Sequence, residues 1–326
     1  MWQIAGVDNH DGKVLVIGGE QESSAVRLVY PDRLENIVLQ QKRLASPAGV
    51  FDRIFIELMI YQHIVVSDLR GELESMTFIY ESGFMFCEIF GNYMTLYKPR
   101  KGIKIVDLNE LQSRFIARNN DPPSQSFDTL NSYGLQNVIP IIKDGNIVDL
   151  ITLHEKSVTP TQVHLRTQHG NFKVHRSEIG EEVRDAVIRL MGKHLLVVSR
   201  TFNIRKESNK RTVNNTGYLL SIYTKDLSLV EHKWLGHDTI KDLDVALAVQ
   251  TFKTRHYSIA AILTAGYRLS FLTNINNRLQ HIHTSVHIRD VANRCSTMHY
   301  CRRSNACGWL IVGMGDRLKI LRLKLS

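Results

Sequence analysis

The sequence predicts an all-β fold built from repeated sheet units. Three observations point there. Short apolar runs rich in β-branched and aromatic residues recur along the 326-residue chain. Turn-forming residues separate them. A hairpin centred on glycine also returns at a step of 49 residues, at Gly217, Gly266 and Gly315. Amphipathic helical periodicity is nearly absent.

In chain order, the expected strands begin with Lys13-Val-Leu-Val-Ile-Gly-Gly19 and Ala25-Val-Arg-Leu-Val-Tyr30. They continue through 36–40, 54–60, 63–67 and 73–80. Gly91-Asn92 marks a hairpin between 85–90 and 93–97, and 103–107 follows. Asn137-Val-Ile-Pro-Ile-Ile142 is a strand whose Pro140 suits an edge or a bulge, because proline has no N–H to give a ladder. Asp144-Gly145 signals a hairpin into 147–153. The segments 162–167, 172–175, 194–199, 217–223 and 229–234 complete this part of the series. Glu181-Glu-Val-Arg-Asp-Ala-Val-Ile-Arg-Leu190 is the one stretch that fits a short helix as well as it fits a strand.

Two stretches interrupt the rhythm. Residues 109–136 contain the polar, turn-forming Arg118-Asn-Asn-Asp-Pro-Pro-Ser-Gln-Ser126, and residues 201–216 are polar and basic. Both are expected as surface loops inserted into one domain spanning 1–326.

The repeat carries the architecture. Gly217-Tyr-Leu-Leu-Ser-Ile-Tyr, Gly266-Tyr-Arg-Leu-Ser-Phe-Leu and Gly315-Asp-Arg-Leu-Lys-Ile-Leu each open a strand that follows another apolar strand. A period of roughly 40–50 residues with four short strands is the signature of propeller blades, since a lone four-stranded sheet leaves its faces bare and must stack on its neighbours. At roughly 46 residues a blade, the chain makes about seven. Leu235-Gly-His-Asp238 ahead of Ile240-Lys-Asp-Leu-Asp-Val245, with the turn and strand of Gly313–Leu321, resembles the WD40 family, although the sequence contains no Trp-Asp pair. The resemblance implies a single WD40-like β-propeller that holds other proteins. Met1-Trp-Gln-Ile-Ala-Gly-Val7 is expected to close the ring beside 317–325 in the last blade. The apolar phase changes within 317–325, which implies a bulge or a strand covered on both faces.

Composition bounds the function. Hydrophobic residues make up 43% and charged residues 22%, an ordinary globular balance, and 41 Lys+Arg against 32 Asp+Glu give a net charge of +9 that favours anionic partners. Cys87, Cys295, Cys301 and Cys307 are too few to scaffold a chain of this length, so the compartment is expected to be reducing. The first residues lack a signal-peptide pattern and no window is apolar enough to span a bilayer, so no membrane partner is expected.

No catalytic motif, cofactor loop or small-molecule site emerges. Gly313-Met-Gly315 has Leu318 where a dinucleotide fingerprint needs its third glycine. His281, His283, His287, Cys295, His299, Cys301 and Cys307 lack paired zinc-ligand spacing, so no metal site is assigned. The candidate site residues are basic: Lys98, Arg100, Lys101, Arg205, Lys206, Lys210, Arg211, Arg302 and Arg303. Brought to one rim, they would meet an acidic partner or a phosphate backbone. The expected function is a non-catalytic scaffold subunit that binds other protein subunits of a nuclear or cytoplasmic complex. The alternative is a subunit that binds RNA or DNA and positions it for an enzyme.

Overall fold

The computed structural model describes residues 3–7, 14–18, 25–29, 36–41, 45–59, 63–80, 86–98, 102–123, 125–127, 134–156, 162–176, 182–207, 210–236, 248–254, 256–264, 268–287, 295–302, 307–314 and 317–324. Chain contacts divide it into two compact units, one of Met1–Ser132 with Thr297–Ser326, the other of Tyr133–Ser296.

In the first unit, β1 (Gln3–Val7), β2 (Val14–Gly18), β3 (Ala25–Val29) and β4 (Asn36–Gln41) form one antiparallel meander. A second contains β5 (Ala45–Phe51), β6 (Ile54–Met59), β7 (His63–Asp68) and β8 (Met76–Ile79). The third contains β9 (Phe86–Phe90), β10 (Tyr93–Lys98) and β11 (Gly102–Asp107), followed by the helix α1 (Leu108–Ile116) and β12 (Gln125–Phe127). In the second unit the meanders are β13 (Leu135–Lys143) to β16 (Phe172–His175), β17 (Glu182–Met191) to β20 (Leu229–Gly236), and β21 (Ala248–Lys253) to β24 (Arg278–His287). Between these ends lie β14 (Asn146–Lys156), β15 (Gln162–Thr167), β18 (His194–Glu207), β19 (Lys210–Tyr223), β22 (Ser258–Thr264) and β23 (Arg268–Ile275). The last sheet holds β25 (Cys295–Arg302), β26 (Cys307–Met314) and β27 (Arg317–Lys324). Among the described residues there are thus six four-stranded sheets and one three-stranded sheet.

Stacking explains the apolar runs. First strands of consecutive sheets touch, β1 with β5 and β5 with β9 in the first unit, β13 with β17 and β17 with β21 in the second. Ile54, Ile56, Val66 and Phe78 of one sheet meet Met94, Leu96 and Val106 of the next. Leu196, Val198, Leu220 and Ile222 meet Val249, Ala260, Ile262 and Leu272 in the same manner. Leu195 and Val197, which face the opposite way, are equally buried. A strand covered on both faces has no polar alternate positions, which is why these segments read as continuous apolar runs.

Turn chemistry sets the register. Asp144 and Gly145 both take positive φ, the primed turn that matches strand twist, and pair Lys143 with Asn146. Pro140 lies on β13, which has a hydrogen-bonded neighbour on one side only. At the end of β7 the buried Asp68 accepts from the backbone N–H groups of Arg70 at 3.2 Å and of Glu72 and Leu73 at 3.0 Å. Arg53 grips the same carboxylate with Nε at 3.2 Å and Nη2 at 2.9 Å. Burial pushes the Asp68 carboxyl up, but the Arg53 and backbone hydrogen bonds outweigh it and hold it below its ordinary value.

One open reading is resolved and three expectations are corrected. Residues 182–191 form a strand rather than a helix, because Val183, Ala186, Ile188 and Met191 must be buried against neighbouring sheets. The 109–136 loop contains α1, capped by Asp107 Oδ1, which accepts from Asn109 N at 2.8 Å, and it buries Leu108, Leu111 and Phe115 along one face. The 201–216 loop is the continuation of β18 and β19. β1 pairs with β2 and packs near β26, instead of pairing with 317–325, which pairs with β26. A hairpin between chain neighbours closes a far shorter loop than a pairing across the whole chain. Trp2 lies outside the described residues. The β26–β27 register runs without a shift, so the phase change in 317–325 involves no bulge there.

Asp68→Ala removes a buried acceptor of five hydrogen bonds and leaves Arg53 without its main partner. The expected loss is about 3 kcal/mol in urea unfolding, with Asp68→Asn intermediate. The carboxylate's contribution is present above its unfolded pKa and disappears as pH falls through the lower folded one, so the deficit of Asp68→Ala against wild type narrows in acid.

Candidate interaction surface

The nine basic candidates separate into groups. Lys98 ends β10 opposite Gly102, at the connection between the second and third strands of its sheet. Arg302 ends β25, at the connection between the first and second strands of its own. Arg100, Lys101 and Arg303 lie outside the described residues. The register brings the remaining four together: Arg205 and Lys206 on β18, Lys210 and Arg211 on β19, with Lys206 opposite Arg211 and Arg205 opposite Thr212.

These four sit at the end of an extended ribbon. β17 accompanies β18 only as far as the pair Glu182–Phe202, and β20 accompanies β19 only from Gly217–Gly236. Beyond that level β18 and β19 pair with each other alone among the described residues, from Asn203–Asn214 to Glu207–Lys210. Phe202 is buried at this level, with the Arg184 guanidinium 5.7 Å from its ring. Arg184 Nε also donates to Glu182 Oε1 at 2.7 Å.

The root of the ribbon is tied to the preceding sheet by a buried polar chain. His175, the last residue of β16, lies 2.9 Å through Nδ1 from Tyr223 Oη on β19 and 2.9 Å through Nε2 from Ser199 Oγ on β18. Ser199 Oγ in turn donates to Leu219 O at 3.5 Å. A neutral imidazole fits this chain, donating from Nε2 and accepting at Nδ1 from the tyrosine. Burial, with a smaller push from His232, lowers the His175 pKa to about 3, and burial lifts the Tyr223 hydroxyl to about 12. A histidine ahead of the first strand of a sheet is the place that the WD40 resemblance implies for its Gly-His pair. Here Val174 precedes it, and the pair noted in the sequence, Gly236-His237, has its histidine outside the described residues.

One large surface residue stands beside this root. Trp234 on β20 is 47% exposed, and its indole N–H donates to Thr201 Oγ1 at 3.4 Å. Leu229 on the same outer strand and Ile282 on β24 are also exposed. Glu231 Oε2 accepts from Leu279 N, joining β20 to β24. Neither Trp234 nor His175 stood out in the sequence: tryptophan in a strand reads as core, and a histidine without its glycine reads as surface. Among the described residues no group of three or more His, Cys, Asp or Glu side chains could hold a metal ion. No helix among them is long and apolar enough to cross a membrane.

His175→Phe removes the acceptor of the Tyr223 hydroxyl and the imidazole N–H donor to Ser199 Oγ, and costs about 2–3 kcal/mol at pH 7.5. Because the folded pKa lies below the unfolded one, the wild type is fully stabilised above about pH 6.5 and loses up to about 1.4 kcal/mol per pH unit between there and pH 3. Urea unfolding at pH 7.5, 6, 5 and 4 is expected to show the variant losing less of its stability than the wild type on this acid limb.

No protein-family model and no curated protein matches the chain. Solved structures do. A chain of the S. cerevisiae complex of Dbp5 bound to Nup159 and Gle1 is similar at 8% identity over 98% of this chain and 88% of that one, with a TM-score of 0.56. Kluyveromyces lactis Hsv2 is similar over the full length of both chains, at 10% identity and a TM-score of 0.51. The β-propeller domain of Myceliophteria thermophila Cps50 (Swd1) is similar over 99% of this chain and all of that one, at 10% identity and a TM-score of 0.53. At such identities the likeness shows the fold alone: the chain has a β-propeller fold.

Proposed function

We propose that the protein is a non-catalytic propeller subunit that docks other proteins within an intracellular complex. The observation that carries this reading is Trp234. An aromatic ring 47% exposed on an outer strand, with its one polar group already bonded to Thr201, has apolar area left for a partner. The exposed Leu229 extends the same outer strand, and the His175 chain holds the neighbouring strands rigid, so little ordering is needed on binding. The likeness to a chain of a solved assembly, that of Dbp5 bound to Nup159 and Gle1, agrees with a subunit role. Two buried titratable groups, His175 and Asp68, are held in hydrogen bonds that tie strands and turns together.

The test is quantitative co-purification of tagged full-length protein from native extract, comparing wild type with Trp234→Ala. A stoichiometric partner is expected with the wild type and is expected to fall about tenfold or more with the variant. Wild-type protein that elutes without any stoichiometric partner, or a variant that retains them all, overturns the reading.

A further inference from the structure

We propose that the end of the β18–β19 ribbon is an arm that enters the major groove of duplex DNA. This stands apart from the protein-docking reading, which rests on Trp234 at the root rather than on the tip.

Dimensions come first. Five residue pairs, from Asn203–Asn214 to Glu207–Lys210, extend past the last strand neighbours. At about 3.4 Å per residue they reach roughly 17 Å. A two-stranded ribbon is the β element that the major groove of B-form DNA, about 12 Å wide and 8.5 Å deep, admits.

Composition comes second. Within 203–216 the sequence places Arg205, Lys206, Lys210 and Arg211 against the lone acid Glu207. It also places Asn at 203, 214 and 215, which lie in strands although asparagine is a poor strand former. Lysine and arginine neutralise phosphates, while arginine and asparagine are the residue types that bond guanine and adenine edges in the major groove.

Register is the third observation. Lys206 stands opposite Arg211, and like charges across a ribbon oppose its formation. A polyanion between the two removes that penalty. Basic residues alone would guard unpaired edges against aggregation or meet an acidic polypeptide equally well. The asparagines serve neither purpose and favour base edges. The major groove of A-form RNA is too deep and narrow for such an arm.

The experiment uses the full chain and fluorescence anisotropy with a mixed-sequence 24-base-pair DNA duplex at 50 and 200 mM salt. Three variants accompany the wild type: a tip variant with Arg205, Lys206, Lys210 and Arg211 all changed to Ala, the pair Asn203→Ala with Asn214→Ala, and a control with Lys193, Lys225 and Lys253 changed to Ala. The wild type is expected to bind with a steep salt dependence, and the tip variant to lose about 3 from the slope of log affinity against log salt. The control is expected to keep most of the affinity, and the asparagine pair to weaken binding with the slope unchanged. Matching thermal midpoints show that the variants are folded. If tip variants unfold, a chain with 203–216 replaced by Asn-Gly serves instead and is expected to lose DNA binding. Absence of duplex binding by the wild type, an equal loss in the control, or tip-dependent binding of polyglutamate or double-stranded RNA in preference to DNA each overturns the proposal.

Discussion

An antiparallel sheet of four short strands with two apolar faces cannot be satisfied by water on either side, and the rest of this molecule follows from that constraint. β18 shows it most plainly. Leu195 and Leu196 are buried in succession, as are Val197 and Val198, so the strand needs a neighbouring sheet on each face. The contacts of β17 with both β13 and β21 supply those neighbours in the second unit, and β5 between β1 and β9 repeats the arrangement in the first. At roughly 25 cal/mol per Å² of apolar surface, stacking outweighs the modest strand propensity of individual segments. It also overrides helix-compatible patterning, which is why 182–191 is a strand.

The same constraint separates rigid from projecting parts. Where sheets stack, polar groups survive only if bonded, and His175, Ser199 and Tyr223 form such a closed set between β16 and its following sheet. Arg53 and Asp68 play the corresponding role at the end of β7. Where β18 and β19 outrun their neighbours, the demand for apolar content ends and the sequence turns polar and cationic within a few residues. A packed base with a hairpin running on past it is a common way for a propeller to present its loops and hairpins.

Much of this was legible in the residues. The strand series, the Asp144-Gly145 hairpin and the edge position of Pro140 follow from local turn and donor chemistry, and the structure agrees with each. The 49-residue step was visible as three glycines, of which Gly217 lies within β19 while Gly266 and Gly315 lie outside the described residues. What escaped depends on distant partners. The helix at 108–116 has only three buried positions, Leu108, Leu111 and Phe115, and the polar run just behind it masked the pattern. The pairing of β1 with β2 reflects loop closure rather than residue type. Of the basic candidates, only those joined by a hairpin could be placed together from sequence spacing, since Lys98 and Arg302 belong to other sheets. His175 carried no local sign of its partners, which lie 24 and 48 residues away.

The point at which β18 and β19 outrun their neighbours also sets how this arm can change length. Inside the sheet each strand position is fixed by what packs on both faces, so an added residue would turn every following side chain over. Past Phe202 and Gly217 no third strand among the described residues keeps count. One residue gained on each strand lengthens the ribbon and exchanges the faces of everything beyond it, whereas two on each strand lengthen it and preserve them. The arm is therefore adjustable in even steps, with reach and facing under separate control, while the sheets beneath it remain untouched.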